Sequence, residues 1–204
     1  MVFAQVGRSY YDRVLLPVLA TLSRLKVHPN ALTFIGLLVN GVAAFQFASG
    51  RVRWGGLLIL GAGIFDYLDG ALARYSRRTS PFGAFLDSTI DRYSDMTLLT
   101  GVLIFFLRRG ETGHVLLTCV TLAGFVMVSY TRARAECLIP HCTVGLMERA
   151  ERLILLSLGA LLNALPAFLW LLAILSHLTA LQRIHYTWKR IRDSRGDQIP
   201  EEAD

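Results

Sequence analysis

Charge is scarce in this chain. Only 18% of its 204 residues are charged, against 53% from the apolar set, and the mean hydropathy is +0.46. That scarcity excludes a disordered chain and an ordinary soluble domain, about a quarter of whose residues carry charge. Cysteine is scarcer still. Cys119, Cys137 and Cys142 are too few for a disulfide framework. Cys137 and Cys142 bracket Pro140 and His141 with no second ligand pair nearby, so the three read as structural thiols. A signal-peptide pattern is missing too: no small-residue cleavage site follows the first apolar stretch, and Asp12 interrupts it.

What the chain has instead is long apolar runs. Six approach the ~20 residues that cross a bilayer: Ala31 to Ser49, Trp54 to Arg74, Phe82 to Leu107, His114 to Arg132, Gly145 to Leu165 and Pro166 to Arg190. The first thirty residues differ. Tyr10, Val14, Leu15, Val18, Leu19, Leu22 and Leu25 recur at helical spacing between Arg8, Asp12, Arg13, Arg24 and Lys26, the pattern of an amphipathic helix lying in the interface. The expected fold class is all-α, an integral membrane protein of six transmembrane helices. Its expected parts are an amphipathic helix over 1–30, a six-helix domain over 31–190 and a polar tail over 191–204.

Six spans sort the basic residues unevenly. Sixteen of the 21 fall on one side; Arg51, Arg53, Arg108 and Arg109 fall on the other, and Arg92 lies just inside a span. Both termini are therefore expected in the cytoplasm of a multi-pass protein of the cell membrane. The basic face suits anionic lipid headgroups and phosphorylated substrates, and nucleic acid is not an expected partner so close to a bilayer.

Five aspartates break the apolar pattern, and carboxylates inside a membrane need a reason. Asp66 and Asp69 share a face near the end of the second run, while Asp87, Asp91 and Asp95 form a stripe on the third. The short link between the runs makes them antiparallel neighbours. Ser80 before Pro81 is a helix start, and Gly70, Ala73, Gly83 and Ala84 permit close approach. Carboxylates crowded this way cannot all ionise without cations, and an all-oxygen set selects Mg²⁺ or Mn²⁺. The plainer alternative pairs them with Arg74, Arg77, Arg78 and Arg92.

The run Asp66-Tyr-Leu-Asp69-Gly70-Ala-Leu-Ala73-Arg74, then eight residues to Gly83, three to Asp87 and three to Asp91, matches every fixed position of D-x2-D-G-x2-A-R-x8-G-x3-D-x3-D. It resembles the signature of the CDP-alcohol phosphotransferases. The resemblance implies six transmembrane helices, a cytoplasm-facing polar cavity, and transfer of a phosphatidyl group from CDP-diacylglycerol to an alcohol with release of CMP. On the matching positions it implies that Asp66, Asp69 and Asp87 ligate the metal, that Asp91 ligates it and also serves as the base, and that Gly70, Arg74 and Ser80 lie at the donor site. Pro29-Asn30-Ala31-Leu32-Thr33 resembles a P-[ND]-x-x-T segment that contributes to the nucleotide site. The alternative for that segment is a plain helix start capped by Asn30 or Thr33. Relatives commonly dimerise, so a homodimer is expected.

The later helices carry arginines that suit the phosphate of a phosphorylated polyol: Arg132 and Arg134 at the end of the fourth run, Arg152 at the start of the fifth and Arg183 near the end of the sixth. Positive-inside decoration is the plainer account, and it fits Arg152 and Arg183 less well because they adjoin apolar interiors. The stretches Ser129-Tyr130-Thr131-Arg132-Ala133-Arg134-Ala135-Glu136, Glu148-Arg149-Ala150-Glu151-Arg152 and Gln182-Arg183-Ile184-His185 resemble one subgroup, the phosphatidylinositol phosphate synthases and their archaeal counterparts. Arg132 departs from it, since those relatives usually carry lysine there. The subgroup implies inositol 1-phosphate as acceptor. Glycerol 3-phosphate, which would make the chain a phosphatidylglycerophosphate synthase, is the nearest rival, and a divalent-cation transporter is the rival from another class.

Overall fold

A computed structural model describes residues 15–196, and all of their regular structure is helical. Seven helices follow one another: α1 Leu16–Arg24, α2 Pro29–Ala48, α3 Val52–Tyr75, α4 Pro81–Arg108, α5 Thr112–Glu136, α6 Arg149–Leu161 and α7 Leu165–Gly196.

The ends of these helices are written in local chemistry. Ser80 caps α4, its Oγ accepting from the Gly83 N–H at 2.9 Å, and Pro81 occupies the first turn where no N–H is needed. α2 opens the same way on Pro29, but its cap is His28, whose Nδ1 accepts from the Asn30 N–H at 3.3 Å. Neither Asn30 nor Thr33 is the cap. Ser80 was expected in its role, and His28 was not.

From α2 to α7 the helices run alternately up and down. α2 packs on α3 and α4, α3 on α6, α4 on α5, and α5 and α6 on α7. Phe47, Ile59, Leu98, Val102, Phe125, Leu156 and Leu172 fill the centre, each at most 1% exposed. Outward, Leu38, Phe45, Ile64, Leu116 and Leu181 leave the bundle an apolar coat. A close backbone approach joins α2 to α4: a Cβ on Gly101 would lie 2.3 Å from the Ala44 carbonyl oxygen. Gly101→Ala is therefore expected to push α2 off α4 and cost about 1–3 kcal/mol, a lowered thermal midpoint in detergent being the check.

Among the described residues four helices, α2, α3, α5 and α7, are long and apolar enough to cross a membrane. α4 has the length, but Asp87, Asp91, Arg92 and Asp95 sit in it. The fifth expected span, Gly145 to Leu165, is shorter than anticipated. α6 covers 13 residues, about 20 Å at ~1.5 Å each, against a hydrocarbon core of ~30 Å. Gly145 explains the lost turn: its φ is +146°, and a Cβ there would meet Thr179 Cγ2 at 2.7 Å and the Arg183 guanidinium at 3.4 Å. At the other end, α7 continues through Gly196, so the expected polar tail over 191–204 begins as helix. Residues 197–204 lie outside the described residues.

Of the expected amphipathic segment, α1 is described. Leu15 and Leu19 pack with Leu32 of α2 and Ala71 and Leu72 of α3. Arg8, Tyr10, Asp12, Arg13 and Val14 lie outside the described residues.

Candidate active site

The carboxylates come from the last turns of α3 and the first half of α4. The two helices are not the direct neighbours that their short link predicts, because α2 packs on both and lies between them, and the carboxylates converge past its start. One oxygen each from Asp66, Asp69 and Asp87 lie within 4.8 Å of one another. Asp69 is buried and oriented by α2, the Thr33 hydroxyl donating to its Oδ2 at 2.7 Å; the Asp66 side chain is 43% exposed and Asp87 is half-buried. Three convergent carboxylate oxygens, one of them fixed by a hydroxyl, are a donor set that fits a hard divalent cation.

Asp91 and Asp95 turn to α6. Arg149 Nη1 lies 2.7 Å from Asp91 Oδ1 and 2.8 Å from Asp66 Oδ1, and its Nε lies 3.3 Å from Asp95 Oδ1. Arg152 Nη2 lies 3.5 Å from Asp95 Oδ2. Ion pairing therefore does occur, but chiefly from α6 rather than from Arg74, Arg77 or Arg78; Arg92 approaches Asp91 only at 3.7 Å. Arg149 is the residue at the carboxylates that the sequence reading did not single out. Its signal was physical: a guanidinium in the first turn sits against the positive end of its own helix dipole, an unfavourable placing that acidic partners must offset.

Of the donor-site candidates, Thr33 touches the carboxylates directly and Gly70 follows Asp69 in the chain. Arg74 folds back over Gly70, its Nη1 3.4 Å from where a Gly70 Cβ would stand. Ser80 Oγ and Asn30 Oδ1 stand 3.0 and 3.8 Å from the corresponding point on Gly83, so the starts of α2 and α4 meet there. Leu32, one position before Thr33 and so about 100° round the helix, is buried among Leu19 and Leu72 instead. Ala31 is exposed.

Beside the carboxylates lies a cavity of about 870 Å³ whose lining includes Asp91, Arg132, Arg149, Arg152 and Arg183. Asp91 and Arg149 also line a smaller space shared with Thr33 and Asp66. Of the carboxylates in these two linings, Asp91 alone faces both. Arg152 is 1% exposed, donates to the Phe125 carbonyl at 3.0 Å and stacks 4.4 Å over the Phe125 ring. Arg183 is tied to the Val128 and Val144 carbonyls at 2.6 and 2.9 Å. Arg132 is exposed and pairs with Glu136 one turn on, at 3.0 Å. Arg134 does not line the cavity: two residues past Arg132 it is about 200° round α5 and exposed.

The model of one family, CDP-alcohol phosphatidyltransferase, matches residues 26–188. The chain belongs to that family. It is 40% identical over 172 residues to the archaetidylinositol phosphate synthase of Pyrococcus horikoshii, covering 84% of this chain and 89% of that one. Among solved structures it is similar to the Mycobacterium tuberculosis phosphatidylinositol phosphate synthase with CDP-DAG bound: TM-score 0.80, 32% identity, 86% of this chain and 94% of that one. The same mycobacterial enzyme in complex with manganese and citrate matches at TM-score 0.77 and 33% identity, over 84% and 88% of the two chains. As a CDP-alcohol phosphatidyltransferase, the chain is a transferase of phospholipid biosynthesis.

Proposed function

We propose that this phosphatidyltransferase moves a phosphatidyl group from CDP-diacylglycerol to the hydroxyl of inositol 1-phosphate, releasing CMP. The observation that carries the reading is the position of Asp91, which faces the metal-fitting carboxylates on one side and the arginine-lined cavity on the other. The names of the archaeal and mycobacterial relatives support inositol phosphate over glycerol 3-phosphate.

In this reading Asp66, Asp69, Asp87 and Asp91 hold Mg²⁺, with Mn²⁺ able to replace it. The geometry favours the first three as the nucleus, Asp91 being drawn toward Arg149. Bound there, the divalent cation neutralises the donor's pyrophosphate and makes CMP a better leaving group. Asn30, Ala31, Leu32, Thr33, Gly70, Arg74 and Ser80 form the donor site, Leu32 by packing. Arg132, Arg152 and Arg183, joined by Arg149, hold the acceptor phosphate, while Arg134 serves the basic rim. Asp91 takes the proton of the acceptor hydroxyl. The freed oxygen bonds to the β-phosphorus, the bond from that phosphorus to the bridging oxygen breaks, and CMP departs with the oxygen.

The same reading places one six-helix domain over 31–190 in the cell membrane, α4 and α6 completing the spans. An amphipathic segment over 1–30 and a polar tail over 191–204 flank it. The carboxylate end and both termini are cytoplasmic, and two copies pair as a homodimer.

The test is CMP release by purified protein from CDP-diacylglycerol and Mg²⁺, with inositol 1-phosphate, glycerol 3-phosphate, free inositol or serine as acceptor. Inositol 1-phosphate alone is expected to support release. Release with glycerol 3-phosphate instead would overturn the acceptor, and silence with all four alongside divalent-cation flux in vesicles would favour a transporter. Arg132→Ala is expected to raise the acceptor KM about 10–100-fold at unchanged donor KM, the loss of one hydrogen bond from a charged group. Equal rises in both constants would remove Arg132 from the acceptor site.

A further inference from the structure

A second cavity, of about 780 Å³, lies at the end of the bundle away from the carboxylates, where the α2–α3, α4–α5 and α6–α7 turns meet. The proposed transfer uses none of its residues. Only four basic residues, Arg51, Arg53, Arg108 and Arg109, belong to this end of the six-run pattern. Three of them line this one cavity, and Arg108 donates to the Ala48 carbonyl at 2.7 Å beside it. Scattered decoration does not converge in this way.

The pairing inside the cavity is incomplete. Arg109 is spoken for, its Nε donating to Glu111 Oε1 at 2.6 Å while the guanidinium lies 5.2 Å over the Phe105 ring. Glu111 also meets His114 Nδ1 at 2.7 Å. Arg53 is aimed rather than neutralised. With the Asn163 amide turned so that its oxygen faces the guanidinium, that oxygen accepts from Arg53 Nη2 at 2.6 Å and Nε at 3.1 Å. Arg51 has no side-chain partner among the described residues. One carboxylate thus faces three guanidinium groups, which leaves two positive charges for an anion.

The rest of the lining is apolar and aromatic, including Trp54, Phe105, Phe106 and Leu165. Trp54 is 62% exposed at the start of α3, with Leu57 on the next turn 48% exposed, the arrangement of an aromatic anchor at a membrane interface. Arginines above apolar walls suit a phosphate that carries hydrocarbon better than a free one.

We infer that this cavity binds the phosphate of an anionic phospholipid from the leaflet opposite the carboxylate site, with Arg51 and Arg53 as its ligands. The leaflet rests on the spanning arrangement proposed above; the binding does not depend on the transfer activity.

The test is thermal unfolding of the purified full chain in neutral detergent, titrated with short-chain phosphatidylglycerol, phosphatidylcholine of the same chain length, or inorganic phosphate. Phosphatidylglycerol is expected to raise the midpoint of the wild-type chain, and phosphatidylcholine to leave it unchanged. The half-maximal concentration should rise about fivefold in Arg51→Gln and roughly thirtyfold in the Arg51→Gln/Arg53→Gln double variant, at about 1 kcal/mol per basic residue near anionic lipid. Arg51→Gln leaves the Arg53–Asn163 contact in place, so a fold-wide effect of the double variant cannot mimic the result. An Arg190→Gln/Arg192→Gln control at the other end of the bundle should respond like wild type. Equal responses in all variants, loss of the response in the control, or an equal effect of phosphatidylcholine would overturn the site. A full response to inorganic phosphate alone would replace the lipid with a free anion and overturn the proposal as stated.

Discussion

Asp91→Asn is expected to lower kcat for CMP release by about 10²–10⁴-fold, the range a positioned general base supplies, while leaving donor affinity near that of the wild type. The substitution keeps the shape of the side chain and removes its capacity to take a proton. It spares the fold, because Arg149 retains Asp66 at 2.8 Å and Asp95 at 3.3 Å. It also spares the Asp66, Asp69 and Asp87 trio, which lies within 4.8 Å without Asp91. Single-turnover release with donor affinity measured in parallel is the check, and near-normal turnover would take Asp91 out of the chemistry. The position of the side chain makes the expectation sharp, since an acceptor in the arginine-lined cavity and a donor at the carboxylates both have Asp91 between them.

Asp95→Ala is expected to act on stability instead, costing about 3–5 kcal/mol. Asp95 is 4% exposed and faces Arg149 at 3.3 Å and Arg152 at 3.5 Å. Arg149 keeps other carboxylates when Asp95 is lost, but Arg152 does not. Arg152 is the largest fully buried side chain, its Nε already lacks a partner, and without Asp95 its charge would rest on the Phe125 carbonyl and ring alone. A buried charge stripped of its counter-ion costs far more than the pair contributed. Thermal unfolding in detergent reads the effect, with Arg132→Ala as the exposed comparison expected to lie within about 1 kcal/mol of wild type. An Asp95→Ala protein as stable as its parent would show that the network contributes little.

Much of this site was legible in the sequence because carboxylates in apolar helices are anomalous there, and a spacing of three or four residues fixes which share a face. Ser80 before Pro81 announced the start of α4 for an equally local reason, and the cap is in place. Local patterns failed where the deciding partner was distant in the chain. Hydropathy could not show that Gly145 is pinned against Thr179 and Arg183, so the fifth run looked like a full span when its helix is only 13 residues long. Arg149 stood without a role in the stretch opening the fifth run until α6 was packed on α3, which carries its side chain to Asp91 and Asp95 of α4. Arg134 and Leu32 were read with their neighbours, yet one or two positions along a helix point a side chain to a different surface. His28 became a cap through its ring nitrogen, a role that its residue type advertises weakly.

The central claim is that Asp66, Asp69 and Asp87 hold the divalent ion that the transfer needs, and manganese binding followed by electron paramagnetic resonance tests it most directly. Mn²⁺ titrated into the purified, chelator-treated wild-type chain is expected to give a bound signal that rises in step with restored CMP release. Asp69→Asn, altering the buried member of the trio, should lose both. Full CMP release after the metal has been removed, or wild-type manganese binding in Asp69→Asn, would contradict the account.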